Sequence, residues 1–358
     1  MKIGLIIYGS LDTKTGGYFY DRMLTNYMER QGDHVEVISI DFKNYLRNIG
    51  DNFSSPLYYR LLKAEVDVLL QDELNHTSLF WINSRLRSRV SYPIITIVHH
   101  LSYLATSSPH TKLLYYFLEK RYLSTLDGFI FNSHTTQRSV EYLVGGKLNG
   151  VVAYPGRDHI QPSITPREVV LRIYQTDPFR ILYIGNLVPH KGLHTLIKAL
   201  SKIDYRNWML TVIGNPSIST AYVKSLHDLV YSKNLGSQVS FLGFVTDSEL
   251  KTHLEKSHVL AVPSIYEGFG IVYLEALGFG LPIIATTGGA AKEIIKHGRE
   301  GFLVPPENPV LLGKSVSKLM QDLDLLRHMS LNAISRYKDF PTWSESMYKI
   351  YDFLKNVI

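Results

Sequence analysis

The sequence predicts an α/β protein built from two doubly wound, parallel-sheet domains. Three observations carry that expectation. Short apolar runs alternate with longer amphipathic stretches along the whole chain. The alternation breaks once, in a proline-bearing stretch near 160–178, and then restarts. At about 150 residues per domain, 358 residues make about two domains. Strand, crossover and strand repeated in this way is the signature of a parallel sheet covered on both faces. Hydrophobic residues at 45% and charged residues at 20% supply enough apolar material for two interiors and exclude intrinsic disorder.

Taken in order, the strand candidates of the first half are Ile3–Tyr8, Val35–Ile40, Val66–Leu70, Ile94–Val98, Gly128–Phe131 and Gly150–Tyr154. Helical periodicity runs through Tyr18–Gln31, Thr111–Thr125 and Thr135–Leu143 between them. Pro155, Pro162, Pro166 and Pro178 mark the interruption. The second set of strands is Arg180–Ile184, Met209–Ile213, Val239–Phe241, Val259–Val262, Ile283–Ala285 and Gly301–Val304. After Pro341, Thr342–Ile358 reads as an amphipathic helix with no strand following, able to pack on either domain. The expected division is residues 1–165, residues 166–341 and a C-terminal helix over 342–358.

Composition removes several function classes. There is no cysteine, so disulfide scaffolds, thiol nucleophiles, iron–sulfur clusters and cysteine–zinc sites are excluded. The start, MKIGLIIYGS, is too short in apolar residues for a signal-peptide core and reads as a buried first strand. No run approaches the ~20 apolar residues of a membrane span. A cytoplasmic chain is expected, with a peripheral position at the inner face of a membrane as the extension of that reading. The net charge is +6, spread as +2 over residues 1–165 (17 − 15) and +4 over the rest (21 − 17), with no basic tail or stripe, so nucleic acid is not an expected partner. Residues 80–126 stand out locally: six basic residues against one acid give +5, with eight aromatics among them. Basic and aromatic groups together suit an anionic membrane surface or a lipid-linked substrate.

In open α/β sheets, ligands bind beyond the carboxyl ends of strands, and between two such sheets the expected pocket is a central cleft. The loops after strands are therefore informative. Gly16-Gly17 opens the first helix and lets backbone approach a ligand closely. His99 ends the strand Ile94–Val98, where an imidazole can bond a hydroxyl or move a proton. Lys191 lies beside a helix start, a place for a cation only if an anion completes the site. In Pro263–Ile295, Glu267-Gly268-Phe269-Gly270 precedes an expected amphipathic helix, with Glu275 eight residues on. Bare glycine amides there suit an anion, and the two carboxylates can address two parts of one ligand. Each element alone also has an ordinary reading as a turn, a cap or a core group.

Taken together, E-G-F-G-x-x-x-x-E-A near the end of the second of two Rossmann-like halves resembles the retaining glycosyltransferases of GT-B fold, closest to glycosyltransferase family 4. The resemblance covers essentially the whole chain. It implies an N-terminal acceptor-binding domain and a C-terminal nucleotide-sugar-binding domain. Glu267 and Glu275 match the E-x7-E motif whose glutamates contact the donor; Gly16-Gly17 matches the N-terminal glycine loop. His99 matches the histidine that approaches the transferred sugar, and Lys191 the lysine of a phosphate clamp. Gly288-Gly289 and Glu293 match a structural G-G-x-x-E segment. One position departs: Asn186 stands where the clamp arginine is usual, so a bidentate guanidinium grip is missing.

The implied reaction moves a hexose-type sugar from a nucleoside-diphosphate sugar to a glycan, lipid-linked or small-molecule acceptor, with retention of configuration. His99 and Glu267 are the expected catalytic pair. Gly16, Gly17, Asn186, Lys191, Phe244, Val245, Gly268, Phe269, Gly270 and Glu275 are the expected donor ligands, with Phe244 and Val245 meeting the base. No cofactor and no metal are expected. The one D-x-D, Asp322-Leu323-Asp324, lies in a helical stretch with no strand before it. The rival readings are a nucleotide-sugar epimerase of similar fold and a non-catalytic nucleotide-sugar-binding partner subunit. A dinucleotide oxidoreductase is disfavoured because no G-x-G-x-x-G follows a strand.

Overall fold

A computed structural model describes residues 1–106, 108–175, 177–204 and 207–358. The chain divides into two compact units, Met1–Pro155 with Thr342–Ile358, and Gly156–Pro341. Each is built on one six-stranded sheet in which every pairing is parallel. Alternation of apolar runs with amphipathic stretches produces this because parallel strands, joined by helical crossovers, are covered on both faces.

The N-terminal unit contains β1 (Lys2–Tyr8), β2 (His34–Ile40), β3 (Val68–Asp72), β4 (Ile94–Val98), β5 (Gly128–Phe131) and β6 (Gly150–Val152), in spatial order β2-β1-β3-β4-β5-β6. From β1 the chain first adds β2 on one side and then β3 on the other, so the loops after β1 and β3 diverge and open a crevice at that edge. Register places Leu5 opposite both Val37 and Leu70. β3 ends two residues later than its apolar run suggests. Gln71 and Asp72 belong to the strand and are buried, and Gln71 is satisfied by a reciprocal pair of 2.9 Å hydrogen bonds with Asn83.

The C-terminal unit contains β7 (Phe179–Ile184), β8 (Trp208–Ile213), β9 (Val239–Gly243), β10 (Val259–Val262), β11 (Ile283–Thr286) and β12 (Gly301–Val304), in order β12-β11-β10-β7-β8-β9. Here the direction of winding reverses between β7 and β10, so the loops after those two strands flank the crevice.

One boundary differs from expectation, and one packing partner left open by the sequence is identified. The division falls at Pro155/Gly156, not 165/166, because the intervening residues are tied to the later unit. Arg157 N–H donates to the Pro341 carbonyl at 2.9 Å, His159 bonds Glu275, and Ser163 bonds Glu255. The C-terminal helix, Trp343–Val357, packs on the N-terminal unit. A capping box of Thr342 and Glu345 starts it, and Trp343 then meets the rings of Phe19 and Tyr20 edge-on at 5.1 and 5.7 Å.

Candidate functional site

In the C-terminal unit, both loops at the winding reversal carry predicted residues. After β7 come Gly185 and Asn186, then a single turn of 3₁₀ helix, Pro189–Lys191, and the helix Leu193–Leu200. Gly192 joins them with φ +71, and a Cβ there would lie 2.1 Å from the Pro263 carbonyl oxygen. Only glycine allows this approach, and it brings Lys191 against the segment that follows β10. Lys191 Nζ donates to Glu267 Oε2 at 2.7 Å, and Ser264 Oγ donates to the same oxygen at 3.0 Å. Burial alone would push the Glu267 carboxyl up; the Lys191 ammonium, together with the Ser264 hydroxyl, outweighs it and holds the group below its ordinary value. The adjoining His190 is driven the other way, to about 4, by burial and then by the Lys191 charge, so it is neutral.

The Glu267 backbone is seated by the glycine pair Gly288-Gly289. Glu267 N–H donates to the Gly288 carbonyl, and its own carbonyl accepts from Ala290 N–H at 2.8 Å. A Cβ on Gly289, at φ +85, would sit 2.1 Å from the Glu267 carbonyl oxygen. Gly268, Phe269 and Gly270 then lead into the helix Ile271–Gly278, and Gly270 has φ +97. Gly270, at the N-cap, offers no side chain to that helix, whose start is a place that suits an anion. Phe269 is buried. The helix is not amphipathic as expected: Tyr273 to Gly278 are all buried. Glu275 is among them, and its Oε1 is 2.9 Å from His159 Nδ1. Asn186 is half-buried and its carbonyl accepts from Val188 N–H at 2.9 Å. Phe244 and Val245 follow β9, Phe244 exposed and Val245 half-buried.

The N-terminal unit brings together the other predicted group. Gly16 and Gly17 form the first turn of the helix Gly16–Arg30, capped by Thr15. The bare Gly17 receives the His99 ring: a Cβ there would lie 3.1 Å from Cδ2. His99 Nε2 is 3.1 Å from Asp21 Oδ1, Tyr20 meets the ring edge-on at 5.4 Å, and Asn132 holds the His99 carbonyl at 2.7 Å. Burial disfavours the charged imidazole, yet the carboxylates of Asp21, then Asp72 and Glu73, outweigh it and raise His99 to about 9. Asp72 is pushed up by burial and then by Asp21; burial pushes Glu73 up to about 8. Asp21 Oδ2, Asp72 Oδ2 and both Glu73 carboxylate oxygens accept no hydrogen bond, a costly arrangement for ionised groups.

Among the described residues, two sets of side chains place potential metal ligands within 4.8 Å of one another: Asp21, Asp72 and His99, and Glu73, His76 and Glu119. In the first, Nε2 is already engaged with Asp21, so ligation by that nitrogen requires breaking the bond. Asp322 of the D-x-D caps the helix Leu323–Tyr337 through the Leu325 amide. Sequence reasoning missed Asp21, Ser264, His190 and His159. Asp21 alone had a local signal, standing four residues after Gly17 and so on the same helix face.

Residues 171–336 match the family described as glycosyl transferases group 1. An uncharacterized glycosyltransferase of Methanocaldococcus jannaschii is 36% identical over 159 residues, 44% of this chain and 40% of that one. A GDP-mannose-dependent alpha-(1-6)-phosphatidylinositol monomannoside mannosyltransferase of Mycobacterium tuberculosis is 30% identical over 212 residues, 55% of this chain and 53% of its own. The chain spans about half the length of the curated relatives it matches. Among solved structures, sucrose-phosphate synthase from Thermosynechococcus elongatus superposes with a TM-score of 0.84 at 20% identity, over 99% of this chain and 98% of that one. Anabaena HepE in complex with UDP-glucose gives 0.76 at 21% identity, over 99% of this chain and all of its own.

Proposed function

We propose that this chain, of GT-B fold and matched over residues 171–336 by the glycosyl transferases group 1 family, transfers a sugar from a nucleoside-diphosphate donor to an acceptor hydroxyl. The observation that carries the reading is the contact of Lys191 with Glu267 at 2.7 Å beside an uncapped helix N-terminus. In the reaction, the anomeric carbon exchanges its bond to a diphosphate oxygen for one to the acceptor oxygen. The bonding pair leaves with the diphosphate, and the acceptor gives up its proton. Negative charge grows on the leaving group, so fixed positive potential beside it lowers the barrier.

Lys191 supplies that potential, with the amides of Gly268–Gly270 and the dipole of the helix they precede. No metal ion enters this scheme. Glu267, held ionised by Lys191 and Ser264, orients donor-sugar hydroxyls. Glu275 takes the ribose, its carboxylate set by His159, while Phe244 and Val245 meet the base. Asn186 adds neutral hydrogen bonds to the diphosphate. In the N-terminal unit, the first helical turn at Gly16-Gly17 faces donor phosphate, and His99, steadied by Asp21, contacts the sugar. Transfer of a hexose with retention, to a glycan, lipid-linked or small-molecule acceptor, completes the reading. HepE, whose structure holds UDP-glucose, supports the donor class.

The test is a panel of UDP-, GDP- and ADP-sugars scored for nucleotide release with and without candidate acceptors. Release that depends on acceptor, and that collapses in Glu267→Gln while the fold is retained, is the expected outcome. Undiminished turnover in that variant removes Glu267 from the mechanism. The uncharged Asn186 favours one second reading, a binding partner without turnover, which takes up donor and releases nothing.

A further inference from the structure

We propose that the N-terminal unit docks on an anionic lipid surface through the outward sides of two packed helices, His76–Leu86 and Pro109–Leu123. From residue 76 to residue 126 the chain holds one acid, Glu119, and it is fully buried with its carboxylate on the amides of Ser102 and Tyr103. Within residues 76–126 every exposed charge is therefore basic.

The helix Pro109–Leu123 buries only Glu119, Tyr122 and Leu123. Facing outward are Leu113 at 59%, Leu114 at 38% and Phe117 at 59% exposure, a stripe at helical spacing that Arg121 continues. Lys112 is exposed beside it. Trp81, 43% exposed on the neighbouring helix, carries the Arg121 guanidinium 5.4 Å above its ring. The Trp81 backbone N–H donates to Asn52 Oδ1 at 2.8 Å. The other aromatics of the segment serve the core: Tyr92, Tyr103 and Tyr122 are buried, and Phe80, Tyr115 and Tyr116 are half-buried against it. Among the other cations, Arg87 is occupied by Asp127 at 2.9 Å, Arg89 by the Tyr58 hydroxyl, and Arg85 and Lys120 lie over the rings of Tyr58 and Tyr116, which leaves Lys112 and Arg121 as the cations beside the apolar stripe.

Large apolar side chains interleaved with unopposed cations match an anionic bilayer, where headgroups take the charge and the acyl boundary takes Leu113, Phe117 and Trp81. A second copy of the chain would set like charges face to face. The face rests on its own geometry and is independent of sugar transfer.

The test is co-sedimentation of the full chain with phosphatidylcholine vesicles, with and without phosphatidylglycerol. Binding is expected only with the anionic lipid, and it should weaken about fivefold for each cation removed at low salt. Lys112→Ala with Arg121→Ala therefore reduces affinity by more than tenfold. Leu113→Ser with Phe117→Ser, all exposed positions that leave the fold intact, abolishes the part of binding that survives high salt. Equal binding to both vesicles, affinity unchanged in both variants, or self-association in solution that the Phe117 variant dissolves would each overturn the proposal.

Discussion

One oxygen, Glu267 Oε2, accepts from both Lys191 and Ser264, so the carboxylate is gripped on one side only. Its place beside a helix start puts Lys191 near an anion, and the family resemblance puts Glu267 near a sugar. Neither could reveal that the two meet, because 76 residues separate them and the contact is made by folding. His159 and Glu275, 116 residues apart, are the same case. His99 was visible from its place after β4; the carboxylates that hold it were not, since Asp72 and Glu73 lie where the apolar run of β3 had already ended. Those groups make a titration prediction. Glu73 and His99 both keep their protons to higher pH in the folded chain. Their stabilising contributions are complete at low pH and are lost as pH rises, for Glu73 between 4.5 and about 8, for His99 between 6.5 and about 9. Tm is expected to fall from about pH 6 to about pH 9, and Glu73→Gln to flatten the fall. A Tm that rises over this interval contradicts the assignment.

Among elements, the strands were the most legible, because strands buried on both faces are written as continuous apolar runs. All twelve expected runs form strands. The helix Ile271–Gly278 misled for a related reason: buried all round, it has no polar face to give a period. The loops between elements are governed by close backbone approach, for which glycine is the only sequence trace. Gly289 is the sharpest instance. Gly289→Ala adds a left-handed strain and drives a Cβ into the Glu267 carbonyl, an expected loss of about 2–4 kcal/mol. Chemical denaturation measures that loss; a variant as stable as the parent would show that the Glu267 segment is not seated by this contact.

For the whole molecule, two sheets with one winding reversal each could be anticipated from the restart of the strand pattern. The point of division could not. Residues 156–165 carry no strand or helix of their own, and bonds such as those to Pro341, Glu275, Glu255 and Tyr337 assign them to the later unit. The C-terminal helix was equally open until its tryptophan found Phe19 and Tyr20. In the later unit the reversal lies between β7 and β10, and that is where the lysine, the glutamate and the uncapped helix start coincide. Calorimetric titration of UDP, GDP and ADP into the full chain in the presence of EDTA tests that coincidence most directly. At least one nucleotide is predicted to bind under chelation, and Lys191→Gln to weaken it about 10–100-fold, as loss of a charge-assisted bond requires. Binding that vanishes with EDTA, or that Lys191→Gln leaves unchanged, would contradict a diphosphate site built on that ammonium.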